Sequence, residues 1–129
     1  MANYALNRLK EENLLPVRRE HVKLIYTTHA LRENKLLFRV TSVSADEWKA
    51  IQNSSFKLFE KGPEPRSEIR EEADIMIWER IVVLLKWANC KVILDKSEEI
   101  YVMEPPIYGA TVYWIKTSPT EAILIIDEF

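Results

Sequence analysis

From Ser67 to Asn89, SEIREEADIMIWERIVVLLKWAN, apolar residues return every three or four positions. Ile69, Ala73, Met76, Ile77, Ile81, Leu84, Leu85 and Ala88 fall on one stripe, the spacing of an amphipathic helix. Ile75, Trp78, Val82, Val83 and Trp87 add a second apolar face, and a helix that is apolar on two sides is expected to be covered on both. Glu68, Glu71, Glu72 and Asp74 crowd its start, and Lys86 and Lys91 lie at its far end, the order that the helix dipole favours.

The remaining pattern predicts strands around this helix. Residues 1–16 read as an N-terminal helical arm, with Asn3 as a cap, Leu6, Leu9 and Leu14 as its apolar positions and Pro16 beyond its end. Glu20 to Ala30 alternates as a strand, placing Val22, Leu24, Tyr26 and Thr28 on one face and Lys23, Ile25, Thr27 and His29 on the other. The polar break Arg32 to Lys35, with Asn34 in the turn, leads to a second strand over Leu36 to Val43, so the two form a hairpin. Ser44-Ala45-Asp46-Glu47 is a capping box that opens a short helix ending near Asn53, with Trp48 and Ile51 facing inward. Phe56, Leu58 and Phe59 tether the next stretch to the core, and residues 60–66 (EKGPEPR) form a mobile loop. Beyond the long helix, KVILD, EEIYVM, ATVYWIKT and EAILIIDEF are strand-like runs in an antiparallel meander. Asp95-Lys96-Ser97 and Ser118-Pro119-Thr120 are its turns, and the proline-containing segment 104–109 is a loop or bulged edge within it. The expected fold is α/β (α+β): a mostly antiparallel five- or six-stranded sheet packed by one long and one or two short helices, in a single domain spanning residues 1–129.

Composition narrows the function classes more than it selects one. With 129 residues, 47% hydrophobic and 29% charged, the chain has the make-up of a soluble globular domain. No apolar run approaches the ~20 residues that span a bilayer, so no membrane association is expected. The opening MANYALNRLKEENLL lacks the apolar core and cleavage site of a signal peptide, which points to the cytoplasm, the host cytoplasm if the protein is viral. The single cysteine, Cys90, reads as a small buried thiol. Two glycines and one glutamine among much Ile, Val, Lys and Glu lean toward a thermophile.

The net charge of −2 hides an asymmetry: residues 1–40 carry eight Lys/Arg against four Glu, and the rest carry ten against sixteen acidic residues. A basic N-terminal third can meet an anion, or can present its charges on a solvated surface.

His21 and His29 are eight residues apart in one predicted strand, more than about 20 Å at ~3.3 Å per residue, so they cannot share a metal ion. Metal-binding, phosphate-loop and nucleophile-elbow motifs are absent, and no cofactor is expected. A pI near 5.8 argues against duplex DNA as a partner. The densest chemistry is Tyr26-Thr27-Thr28-His29-Ala30-Leu31-Arg32, where hydroxyls, an imidazole and a guanidinium share seven residues. Thr28, His29 and Arg32, with Arg18 or Arg19 nearby, form a candidate ligand site for a nucleotide or phosphodiester, since arginine clamps phosphate through parallel bonds. The same residues also suit a half-buried strand whose hydroxyls satisfy backbone groups.

The run FRVTSVSADEWKAI, the opening strand IYTTHAL and the order of elements that follows resemble the viral ring nucleases, type III anti-CRISPR proteins of archaeal viruses and phages. That resemblance implies an α/β dimer and a cyclic oligoadenylate ligand. In the family a Ser-Ala-Ile-Gly-His run opens the long helix and supplies the catalytic histidine; here the region reads EPRSEIREEADI, without glycine or histidine, so no catalytic residue carries over.

Two functions are left standing. The preferred one is a small non-catalytic interaction protein, a homodimer of viral or archaeal origin, with Ile75, Trp78, Val82 and Trp87 at the dimer interface and room for a further protein partner. The alternative is a nucleotide-binding or phosphodiester-cleaving protein that takes cyclic or linear oligonucleotides. The sequence leaves open whether it is an enzyme.

Overall fold

The computed structural model describes residues 2–30, 33–53, 56–59, 72–89, 99–103 and 110–128. The expectations for the loop 60–66, the run KVILD, the segment 104–109, Arg32 and Cys90 fall outside these residues.

Among the described residues, six strands make one antiparallel sheet: β1 (Val22–Ala30), β2 (Glu33–Val40), β3 (Phe56–Phe59), β4 (Glu99–Met103), β5 (Ala110–Ser118) and β6 (Glu121–Glu128). Their order across the sheet is β1-β2-β6-β5-β4-β3, with every neighbouring pair antiparallel. Three α-helices among the described residues accompany it: α1 (Ala2–Glu11), α2 (Ala45–Gln52) and the long α3 (Glu72–Trp87). The α+β architecture expected from the pattern is therefore present, with six strands, one long helix and two short ones.

The sheet is covered on both faces because its middle strands carry apolar residues at nearly every position. In β6, Ala122, Leu124 and Ile126 enter the core shared with α1 and α2, while Ile123 and Ile125 enter the core shared with α3. The first core gathers Leu6 and Leu9 of α1, Trp48 and Ile51 of α2, and Phe38, Val112 and Trp114 of the sheet. Phe56 meets Trp114 edge-on there, with ring centroids 6.5 Å apart. The second core gathers Trp78, Ile81, Leu84 and Leu85 of α3 with Leu37, Ile100, Val102, Tyr113 and Ile115. Among the described residues no helix is long and apolar enough to cross a membrane.

Helix ends follow the local sequence. Ser44 caps α2 as expected: its hydroxyl accepts from the Glu47 amide at 3.1 Å and Glu47 accepts from the Ser44 amide at 2.8 Å, a reciprocal pair worth about 1 kcal/mol. The Trp48 indole then donates to the Pro119 carbonyl at 2.8 Å, fastening α2 to the β5–β6 turn. Asn13 takes the left-handed conformation (φ 58°) after α1, with Leu14 donating to Leu9 and Asn13 to Lys10, the bonds of a Schellman motif. Asn89 (φ 49°) does the same after α3. Asparagine fills a position that glycine commonly takes, in a chain with two glycines.

Several expectations are corrected in detail. Asn3 lies inside α1, and its side-chain oxygen accepts from Arg19. Residues 19–21 form a turn of 3-10 helix before β1 begins. Phe56–Phe59 is a strand, short enough that its alternation is invisible in the sequence. Asn34 and Lys35 belong to β2, paired with His29 and Thr28. In β1 a bulge at Ile25 sets two residues of one strand against one of the other, so the pairing passes from Leu24↔Phe38 to Tyr26↔Leu37. The faces therefore exchange at the bulge: Val22 packs with α1 and α2, but Tyr26 packs on the α3 side.

Candidate functional site

The register across β1, β2, β6 and β5 places Thr28, Lys35, Asp127 and Thr111 in one row, on the α3 face. Lys35 and Asp127 are both buried, and the ammonium lies 2.5 Å from the carboxylate. Lys35 also donates to the Glu128 carbonyl. Arg80 reaches down from α3 and grips the same carboxylate twice, Nε to Oδ2 at 2.8 Å and Nη2 to Oδ1 at 3.1 Å. This side-on geometry is the strong form of an arginine–carboxylate pair. Next along β5, the Tyr113 phenol is pushed up to about 12, mainly by burial and then by the Asp127 charge, with Arg80 and a hydrogen bond to Thr111 pulling the other way.

The cluster is a clamp. Both Asp127 oxygens are held by cations and the Tyr113 hydroxyl stays neutral near physiological pH, so neither offers a base or nucleophile to a substrate. What it does hold is α3 against the sheet, at the one place where the two are joined by charge among the described residues. Two signals of it exist in the sequence: Asp127 closes the run AILII, and Lys35 sits two residues before Leu37 on the same strand face.

Of the residues predicted to bind a ligand, Thr28 and the Arg18–Arg19 pair lie apart in this chain. Thr28 lies in the clamp row beside Lys35. His29 is paired with Asn34 in the next row, and Arg32 lies outside the described residues. Arg18 and Arg19 precede the opposite end of β1, about 20 Å from Thr28 at ~3.3 Å per residue. There Arg18 lies 3.5 Å from Glu20, and Arg19 bonds the Val22 carbonyl and the Asn3 side chain. Among the described residues no three His, Cys, Asp or Glu side chains are grouped to hold a metal.

Comparison with known proteins returns no match, whether to family models, curated proteins or solved structures.

A cleft of about 480 Å³, counted out to solvent, lies between α1 and the sheet. Leu9, Met103, Val112 and Ile126 give it apolar walls, and Arg8, Glu12 and Glu128 also line it. Such a cleft suits an apolar group more than a charged one.

Among the described residues, α3 carries four of the seven exposed large hydrophobic side chains. Trp78, Ile81, Leu84 and Leu85 turn to the sheet, whereas Met76 (64% exposed), Val82 (36%), Val83 (40%) and Trp87 (58%) turn away. Of the residues predicted for a dimer interface, Val82 and Trp87 are thus on the outer surface, Trp78 packs into the chain's own core, and the Ile75 side chain lies outside the description. Met76, Val83, Glu79 and Lys86 complete the outer stripe, all within two or three turns. Their membership was hidden because the helix is apolar on both sides, so the sequence does not say which side the sheet takes.

Proposed function

We propose that the chain is a small non-catalytic interaction protein that acts by docking another protein surface on the outer face of α3. The observation that carries this reading is Trp87 with Met76 and Val83: an exposed stripe that remains after the helix's inner face has closed the core. Tryptophan is the residue type that most often anchors a protein contact, and contiguous exposed apolar area marks such sites. The polar cluster nearest to a catalytic arrangement supports the same reading, because Lys35 and Asp127 are buried and both carboxylate oxygens are taken up by ion pairs. The oligonucleotide alternative places Thr28, His29 and Arg32 with Arg18 or Arg19 around one ligand, with a second subunit able to complete the set; within one chain Thr28 and the two arginines lie toward opposite ends of β1, which lends it no support.

The test is photo-crosslinking in cells that make the protein, with a photoreactive residue in place of Trp87 or, as control, of exposed Asp46. Protein adducts are expected at position 87 and to be lost when Val83→Glu is added. Equal adduct formation at the two positions would overturn the proposal.

A further inference from the structure

The outer stripe of α3 is close to self-complementary under a two-fold rotation. Met76, Glu79, Val83, Lys86 and Trp87 all face outward, with Val82 on the flank. Glu79 and Lys86 are seven residues apart, two helical turns or about 10 Å, and Val82 and Val83 lie midway between them. Two copies of α3 laid antiparallel about an axis through that midpoint bring Glu79 opposite the partner's Lys86 and Lys86 opposite the partner's Glu79. The valines meet at the axis, and Met76 of each copy comes alongside the Trp87 end of the other, where thioether and indole pack favourably. A parallel pairing would instead set like charges side by side. Among the described residues neither Glu79 nor Lys86 has an ion-pair partner.

We infer that the occupant of the α3 outer face is a second copy of this chain, docked as an antiparallel helix pair across a two-fold axis with Glu79 and Lys86 setting its register. This rests on the surface-contact reading above and names its partner. A two-fold contact uses one patch twice, so every favourable pair counts double and so does every repulsive one. One three-turn helix stripe lies at the small end of interface sizes, and the expected dissociation constant is on the order of micromolar or weaker.

The experiment is sedimentation velocity on the purified chain across a concentration series at low and high salt, with circular dichroism to confirm each variant's fold. The wild type is expected to pass from monomer to dimer, more weakly at high salt. Glu79→Lys alone and Lys86→Glu alone each face like charges twice and should weaken the dimer about tenfold. The double variant Glu79→Lys/Lys86→Glu restores opposite pairs and should return to within about threefold of wild type. Trp87→Glu should leave a folded monomer. A wild type that stays monomeric at hundreds of micromolar, or a double variant no tighter than the singles, would overturn the inference. A monomeric pure chain that still crosslinks at position 87 in cells would refute the second copy as occupant and leave the docking surface standing; loss of both would remove the two together.

Discussion

Tyr113 carries the clearest consequence of the clamp at the level of a single residue. In the folded chain its phenol titrates near 12, and in an unfolded chain near the usual value of about 10. Between those values the folded state keeps a proton that the unfolded state has given up, so unfolding is favoured as pH rises. The stability tied to this phenol is full below about pH 10 and is lost as pH climbs to about 12, a change of roughly 3 kcal/mol. Tyr113→Phe should remove that part of the alkaline decline in urea-unfolding curves. Equal slopes for wild type and variant over that range would show that the decline comes from other groups. The Asp127 charge contributes to the shift, so the stability effects of Tyr113→Phe and of a substitution at Asp127 are expected to be non-additive.

At the scale of an element, α3 separates two tryptophans nine residues apart in sequence and on opposite sides of the helix. Trp78 is buried among sheet residues, and Trp78→Ala should cost about 3–5 kcal/mol in the monomer. Trp87 is exposed, and Trp87→Ala should change monomer stability by no more than about 0.5 kcal/mol. Chemical denaturation of dilute protein decides both; similar losses would mean that the helix is rotated on the sheet. The same helix marks where the sequence is legible. Its existence, the Ser44 capping box and the strand runs ATVYWIKT and EAILIID can be read directly, because each depends on local sequence. Its rotation cannot, because Ile81 and Val83 are equally apolar and only the sheet distinguishes them. The bulge at Ile25 is likewise unreadable, since the residues on either side of it alternate normally and the extra position is defined only by β2. Lys35 looked like a turn residue for a related reason: a charge is placed inside only when its partner, here Asp127, arrives from a strand remote in sequence.

For the whole molecule, that partner joins three pieces of chain far apart in sequence: the second strand, the long helix and the sixth strand. Removing the carboxylate leaves Lys35 buried without it, so Asp127→Ala should cost about 3–5 kcal/mol, whereas Arg80→Ala should cost less because water reaches 41% of the Arg80 side chain. Thermal unfolding compares the two, and an Arg80→Ala loss equal to that of Asp127→Ala would place the strength of the clamp in the helix contact instead. The order β1-β2-β6-β5-β4-β3 has one more consequence, for the chain as it is made. β2 pairs on its inner side with β6, Val40 against Ala122, so the first hairpin leaves the ribosome with one flank open. At about 5–20 residues per second, the roughly 80 residues between them take about 4–16 s to synthesise. For that interval the nascent hairpin presents Leu36, Leu37 and Phe38 beside unpaired backbone, a surface on which a chaperone or a neighbouring nascent chain can settle before the sixth strand arrives.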